Sequence, residues 1–179
     1  MNSPVAKNQE MSPIKLEEGL SAYQCPETEG IFLSIASYFS WLGKQPERLP
    51  KLPDPDIGNE ELIEDSEGAK ICPESGLLMQ RYRVGHGFSF FIERSPSGSL
   101  WFDKGEWKAL RERQFHDELH LVFTSSWQSA VRAEKRAESE RANLSNKLGK
   151  ELLHKLDELH EDLKEHEYRN MAIAYLSYS

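Results

Sequence analysis

Between Leu77 and Glu93 the chain alternates. Leu78, Tyr82 and Val84 share one parity, Arg81 and Arg83 the other, and beyond Gly85-His86-Gly87 the residues Phe88, Phe90 and Ile92 alternate again. Successive side chains of a strand point to opposite faces, so alternation on both sides of a glycine-bracketed tip predicts a β-hairpin with one apolar face. A lone hairpin is at best marginally stable in water, so other elements must cover that face. Lys70–Cys72 is read as a strand leading in.

Upstream, Leu20–Gln24 is read as a short strand. Ile31, Ile35, Tyr38 and Leu42 recur at helical spacing, with Ser34 placed as N-cap and Gly43 as stop, which predicts a helix over Ile35–Leu42. Residues 44–69 contain Pro46, Pro50, Pro53 and Pro55 among many acidic side chains. Proline lacks an amide donor and fixes its φ, so this run reads as an extended acidic linker, with a turn of helix near Asn59–Ile63. Asp103 and Glu106 stand at capping-box spacing ahead of a helix over Lys104–Arg113. From Ser125 to about Glu167 there is no proline and the composition favours helix, in one piece or broken near Gly149. Leu152, Leu156, Leu159 and Leu163 form its apolar seam, and Met171–Tyr178 turns apolar again.

Composition narrows the function classes. Of 179 residues 38% are hydrophobic and 29% charged, with a net charge of −8. That balance repels a phosphate backbone on average. Arg81, Arg83, Arg94 and His86, against Glu93 alone, form the best local basic patch. Two cysteines are too few for a disulfide scaffold. No stretch approaches the ~18 apolar residues of a membrane span, and no signal peptide is visible, so the expectation is a cytoplasmic protein without a membrane partner.

Cys72-Pro73-Glu74-Ser75-Gly76 and Arg94-Ser95-Pro96-Ser97-Gly98-Ser99-Leu100-Trp101-Phe102-Asp103-Lys104-Gly105-Glu106-Trp107 carry a resemblance. They resemble the two knuckles of the zinc-ribbon family named after transcription factor IIB. The second knuckle of that family reads Cys-Pro-x-Cys-Gly-Gly, then hydrophobic-Trp-hydrophobic-Asp-x-Gly-Glu. Of the four ligand positions the resemblance implies, Cys72, Ser75, Arg94 and Ser97, only Cys72 keeps a thiol. An upstream echo places Cys25 first in a half-knuckle and sets Ile31-Phe32-Leu33 on Leu100-Trp101-Phe102. The chain is also similar to bacterial proteins that pair such segments with a helical C-terminal extension.

The expected fold class is therefore α+β. The chain divides into a flexible tail (1–20), a degenerate half-knuckle with a short helix (21–43) and the acidic linker (44–69). A zinc-ribbon-like hairpin and helix (70–124) and a C-terminal helical extension (125–179) follow. No metal or other cofactor is expected, because serine and arginine replace thiolates at the ligand positions. His116 and His120 stand four apart but lack a third ligand in sequence. No catalytic constellation is visible. The expectation is a non-enzymatic protein-interaction or assembly module, with Phe88, Phe91, Trp101 and Trp127 as aromatic contact candidates. Its partner is another protein, or a second copy met through the C-terminal helix. The alternatives are a transcription-associated nucleic-acid binder using Arg81 and Arg83, or a residual zinc-binding protein.

Overall fold

The computed structural model describes every residue except Lys7, Glu47, Arg48, residues 55–62, Glu64 and Ser179. The helical turn expected near Asn59–Ile63 lies almost wholly outside the described residues. Six antiparallel strands form one sheet: β1 (Ser12–Glu17), β2 (Leu20–Gln24), β3 (Ile31–Leu33), β4 (Gln80–Gly85), β5 (Phe88–Arg94) and β6 (Leu100–Phe102). Their order in space is β1-β2-β3-β6-β5-β4. The helices are α1 (Ile35–Leu42), α2 (Glu106–Glu112), α3 (Leu119–Val122), α4 (Ser125–Leu148), α5 (Lys150–Lys164) and α6 (Arg169–Ser177). The architecture is α+β.

That strand order is the signature of two halves with the same path. Four turns punctuate the sheet, led by Ser3, Cys25, Cys72 and Ser95, and each lead residue is followed by proline. Proline presets the φ that the second position of a tight turn needs. In each turn the lead amide donates back to a carbonyl: Ser3 to Gln9, Cys25 to Gly30, Cys72 to Leu77 and Ser95 to Ser99, at 2.7–2.9 Å. The residue before that carbonyl is left-handed in all four, namely Asn8, Glu29, Gly76 and Gly98. The equivalences extend outward. Met11 donates to Met1 as Met79 does to Lys70, both at 2.9 Å. Asn2 bridges Glu10 as Ile71 bridges Leu78. Both hairpins shift register near their tips, between Lys15 and Glu17 and between Arg83 and Gly85.

Each half thus runs turn, bulged hairpin, turn, short strand, helix. The halves meet where β3 pairs with β6, with Phe32 opposite Trp101 at the centre. The first turn was not expected. Residues 1–20, read as a tail without periodicity, supply the Ser3 turn and the edge strand β1. The fourth turn also begins one residue later than the resemblance implied. Ser95, not Arg94, leads it, and Arg94 lies in β5 opposite Gln80 and Leu100.

Side chains alternate across this sheet, so it buries apolar groups on both faces. One face packs Leu33, Phe88, Phe90, Ile92, Leu100 and Phe102 against Tyr38, Trp41, Trp107, Leu110, Phe115 and Trp127. The opposite face holds a second cluster of Ala6, Met11, Cys25, Phe32, Cys72, Met79 and Trp101. Trp101 is fully buried there. Its ring lies so close to Gly30 that a β-carbon at that position would sit 2.2 Å from it, so the glycine makes room for the indole.

Local signals set α1 as read. Ser34 accepts from the Ser37 amide and Gly43 ends the helix. Tyr38 then accepts from the Leu119 amide, tying α1 to α3. The capping box at α2 is only half made. Glu106 Oε2 accepts from the Asp103 amide at 2.8 Å, but Gly105 is the N-cap and the Asp103 carboxylate is engaged elsewhere. The linker is not free either: Arg113 donates to the Asp54 carbonyl, and Asp65 and Ser66 bond to the sheet and to Asp103.

The chain divides into two compact units, Met1–Arg132 and Ala133–Ser179. The first two turns of α4 belong with the sheet. Trp127 and Val131 are buried, and Trp127 Nε1 donates to the Val84 carbonyl at 2.8 Å. The helical extension expected from residue 125 accordingly separates from the sheet unit only after Arg132. A break falls at Gly149, between α4 and α5.

Candidate functional site

The ligand positions implied by the resemblance do converge, with one exchange. Ser75 and Ser95 hydroxyls both hydrogen-bond the Cys72 sulfur. Ser95 Oγ lies 2.7 Å from Ser97 Oγ. Arg94 is not in the set; its guanidinium stacks on the Phe123 ring at 4.9 Å. In the other half the hydroxyls of Ser3 and Thr28 bond the Cys25 sulfur. Burial pushes both thiols up, but these hydroxyls and neighbouring amides outweigh it and leave each below the ordinary thiol range. One thiol among neutral hydroxyls does not fit structural zinc, which takes four Cys or His ligands. Purified protein is expected to carry less than about a tenth of an equivalent of zinc. Its thiols should react with a disulfide reagent only on unfolding, because Cys25 is fully buried and Cys72 1% exposed. A full equivalent of zinc would contradict the reading.

The aromatic contact candidates fare differently. Phe88, Trp101 and Trp127 are buried in the two cores and are not presented to a partner by the folded chain; strand alternation turns Phe88 and Trp101 inward, and Trp127 packs from the start of α4. Phe91 is half-buried, under the guanidinium of Arg81 at 4.4 Å and that of Arg83 at 5.9 Å. Arg81 is also paired with Asp65 at 3.1 Å and with Glu93 at 3.6 Å. A cation so occupied is poorly placed to meet phosphate, which weakens the nucleic-acid reading. His116 pairs with Glu17 and His120 lies near Glu118; neither belongs to a group of three possible metal ligands among the described residues.

Burial of charge is concentrated beside β5 and β6. Lys70, 2% exposed, donates to Glu93 at 2.5 Å and to Asp103 at 3.3 Å. Asp103 also accepts from Trp101 Nε1 at 2.7 Å and from the amide and hydroxyl of Ser66. Burial alone would raise the Asp103 carboxyl, but the Trp101 and Ser66 hydrogen bonds and the Lys70 charge hold it below the usual range. Burial dominates at Glu93 and raises it despite Lys70. Burial, with the Asp103 charge added, pushes Glu106 well above the carboxylate range. Reading the sequence missed Lys70, Glu93, Asp65 and Ser66 altogether. They lie 10–38 residues from Asp103, and no spacing rule joins them.

The second unit has the opposite character. Leu144, Leu148, Leu152 and Leu156 recur every fourth residue and are each 39–48% exposed. No residue of α5 or α6 is buried. Met171, Ile173, Tyr175, Leu176 and Tyr178 are exposed as well. Arg141 on α4 makes a two-pronged pair with Asp157 on α5 at 3.1 and 2.6 Å, tying the helices across Gly149. No helix among the described residues is long and apolar enough to cross a membrane. Compared with protein-family models, curated proteins and solved structures, the chain matches none.

Proposed function

We propose that the chain is a non-enzymatic protein-interaction module. In this reading the sheet unit is a tandem, metal-free, zinc-ribbon-like scaffold, and the helices after Ala133 carry the contact surface. The exposed apolar face on those helices is the observation that supports it. Isolated helices shorter than ~12–15 residues are marginal in water, and most helical stability in proteins comes from packing an apolar face. The fifteen residues of α5 and nine of α6 bury no side chain. A segment that exposes ten large apolar side chains between Leu144 and Tyr178 is suited to receive another protein surface, as helix-in-groove partners do. The aromatic anchors then shift from Phe88, Trp101 and Trp127 to Tyr175 and Tyr178, with the leucine seam beside them.

The test is sedimentation of the full chain with photo-crosslinking from position 156. Leu152→Asp with Leu156→Asp is expected to weaken the association at least ~10-fold, the loss of roughly 1.4 kcal/mol or more from a contact core. Thermal stability of the sheet unit should not change. A strictly monomeric chain that forms no crosslink in its own host's extract overturns the proposal.

A further inference from the structure

The apolar seam of α5 reads the same in both directions. Leu152, Leu156, Leu159 and Leu163 are spaced 4, 3 and 4, which puts them on one stripe of a helix with 3.6 residues per turn. Leu152 is 47% exposed and Leu156 42%; Leu159 and Leu163 are half-buried. Laid antiparallel on a second copy of itself, the stripe sets Leu152 opposite Leu163 and Leu156 opposite Leu159, twice over about one two-fold axis. A parallel pairing stacks each leucine on its equivalent just as well. Spacing alone therefore does not choose the direction; the charges beside the stripe do.

One flank of the stripe carries Lys155 and Asp162, both exposed, and the other carries Leu153 and His160. Within each flank the two residues are a heptad apart, so they stay aligned to within about 20°. In an antiparallel pair each flank meets the same flank of the second copy. Lys155 then faces Asp162 of the second copy, Asp162 faces Lys155, and Leu153 meets His160. In a parallel pair a flank meets the opposite flank, so Lys155 faces His160 and no opposite charge is brought to it. Lys155 also bonds Glu151 in its own helix at 2.9 Å, which uses one of the three ammonium donors. Asp157, away from the stripe, is held by Arg141.

We propose that α5 pairs antiparallel with α5 of a second copy of this chain, about a two-fold axis between Asp157 and Glu158, with Lys155 and Asp162 setting the direction. The proposal rests on the reading of the helices as a contact surface and names its occupant. The seam covers about two heptads, short of the roughly three or four that a self-standing coiled coil sustains, so the association is weak and reversible.

Sedimentation of the full chain from about 10 μM to about 1 mM should show a monomer–dimer equilibrium. Lys155→Glu and Asp162→Lys should each weaken it at least ~5-fold, because each puts two like-charge contacts where two attractive ones stood. An equimolar mixture of the two variants should regain the wild-type association, since the mixed pair brings opposite charges together at both contacts. That recovery separates a contact between copies from damage to the helix itself. A photo-crosslinker at position 152, in a mixture of isotopically light and heavy chains, should capture the peptide holding Leu163 of the other copy. A dimer that neither variant weakens, a mixture as weak as its components, or a crosslink between the two 152 positions overturns the proposal. A chain that stays monomeric yet crosslinks to a different protein in its host's extract overturns the second copy and leaves the interaction reading standing. A chain that does neither overturns both.

Discussion

Trp101→Ala is expected to destabilise the sheet unit by about 3–5 kcal/mol, the range for truncating a buried aromatic, and to be the most damaging single apolar change in the chain. Three losses coincide at this residue. It pairs with Phe32 where the two halves join, so the cavity opens at the seam on which both depend. Its ring fills the space that Gly30 leaves vacant. Its Nε1 gives the buried Asp103 carboxylate a hydrogen bond, and removing the donor leaves that acceptor short in a site without water access. Chemical denaturation should show a lower midpoint with little change in slope. Phe32→Ala, across the same pair, should cost a similar amount without the polar penalty. The two effects should not add, because the residues share one cavity. A cost for Trp101→Ala below about 1.5 kcal/mol would mean that the halves do not depend on this contact.

The elements that follow from short-range rules were legible. The alternation around Gly85-His86-Gly87, the strand Leu20–Gln24, the Ser34-capped helix to Leu42 and the start at Ser125 all depend on neighbours within a few residues, whereas one helix or two about Gly149 stayed open until the structure showed the break. What escaped depends on residues far apart. The duplication rests on four turns that share only a lead residue followed by proline and one left-handed position, with spans that vary by a residue or two. Because the spans differ, a gapless alignment put Arg94 where Ser95 belongs, and it left Ser3 inside a segment that has no periodicity to notice. The repeated Ser-Pro and Cys-Pro pairs were the available signal. Asp103 shows the second kind of miss. Its spacing to Glu106 spells a capping box, and half of one forms, but Trp101, Ser66 and Lys70 claim the carboxylate instead. Aromatic side chains were misjudged for a related reason. Period-two alternation names a face without saying whether a second layer covers it, and here helices cover one face and the turns the other.

Lys70→Met should be the most damaging polar change, at about 3–5 kcal/mol. The side chain is 2% exposed and lies between Glu93 and Asp103. Methionine matches its length and fills its volume, so the loss is electrostatic rather than a cavity. Glu93 keeps only the outlying Arg81 at 3.6 Å, and Asp103 loses its closest cation. A buried ion pair is often worth little against an apolar replacement of both partners, whereas removal of one partner strands the other. The discriminating variant is therefore the double change, Lys70→Met with Glu93→Gln. It should recover most of the loss, giving a coupling of at least ~2 kcal/mol in the cycle. Asp103 stays satisfied in that background through Trp101 and Ser66, so it should not hold the double variant down. If the double variant is as unstable as Lys70→Met alone, the ammonium acts mainly on Asp103. Ser66 then depends on that one carboxylate, while Asp65 keeps the Phe91 amide, and Asp103→Asn becomes the variant that should loosen the segment at Ser66, read as faster amide exchange there.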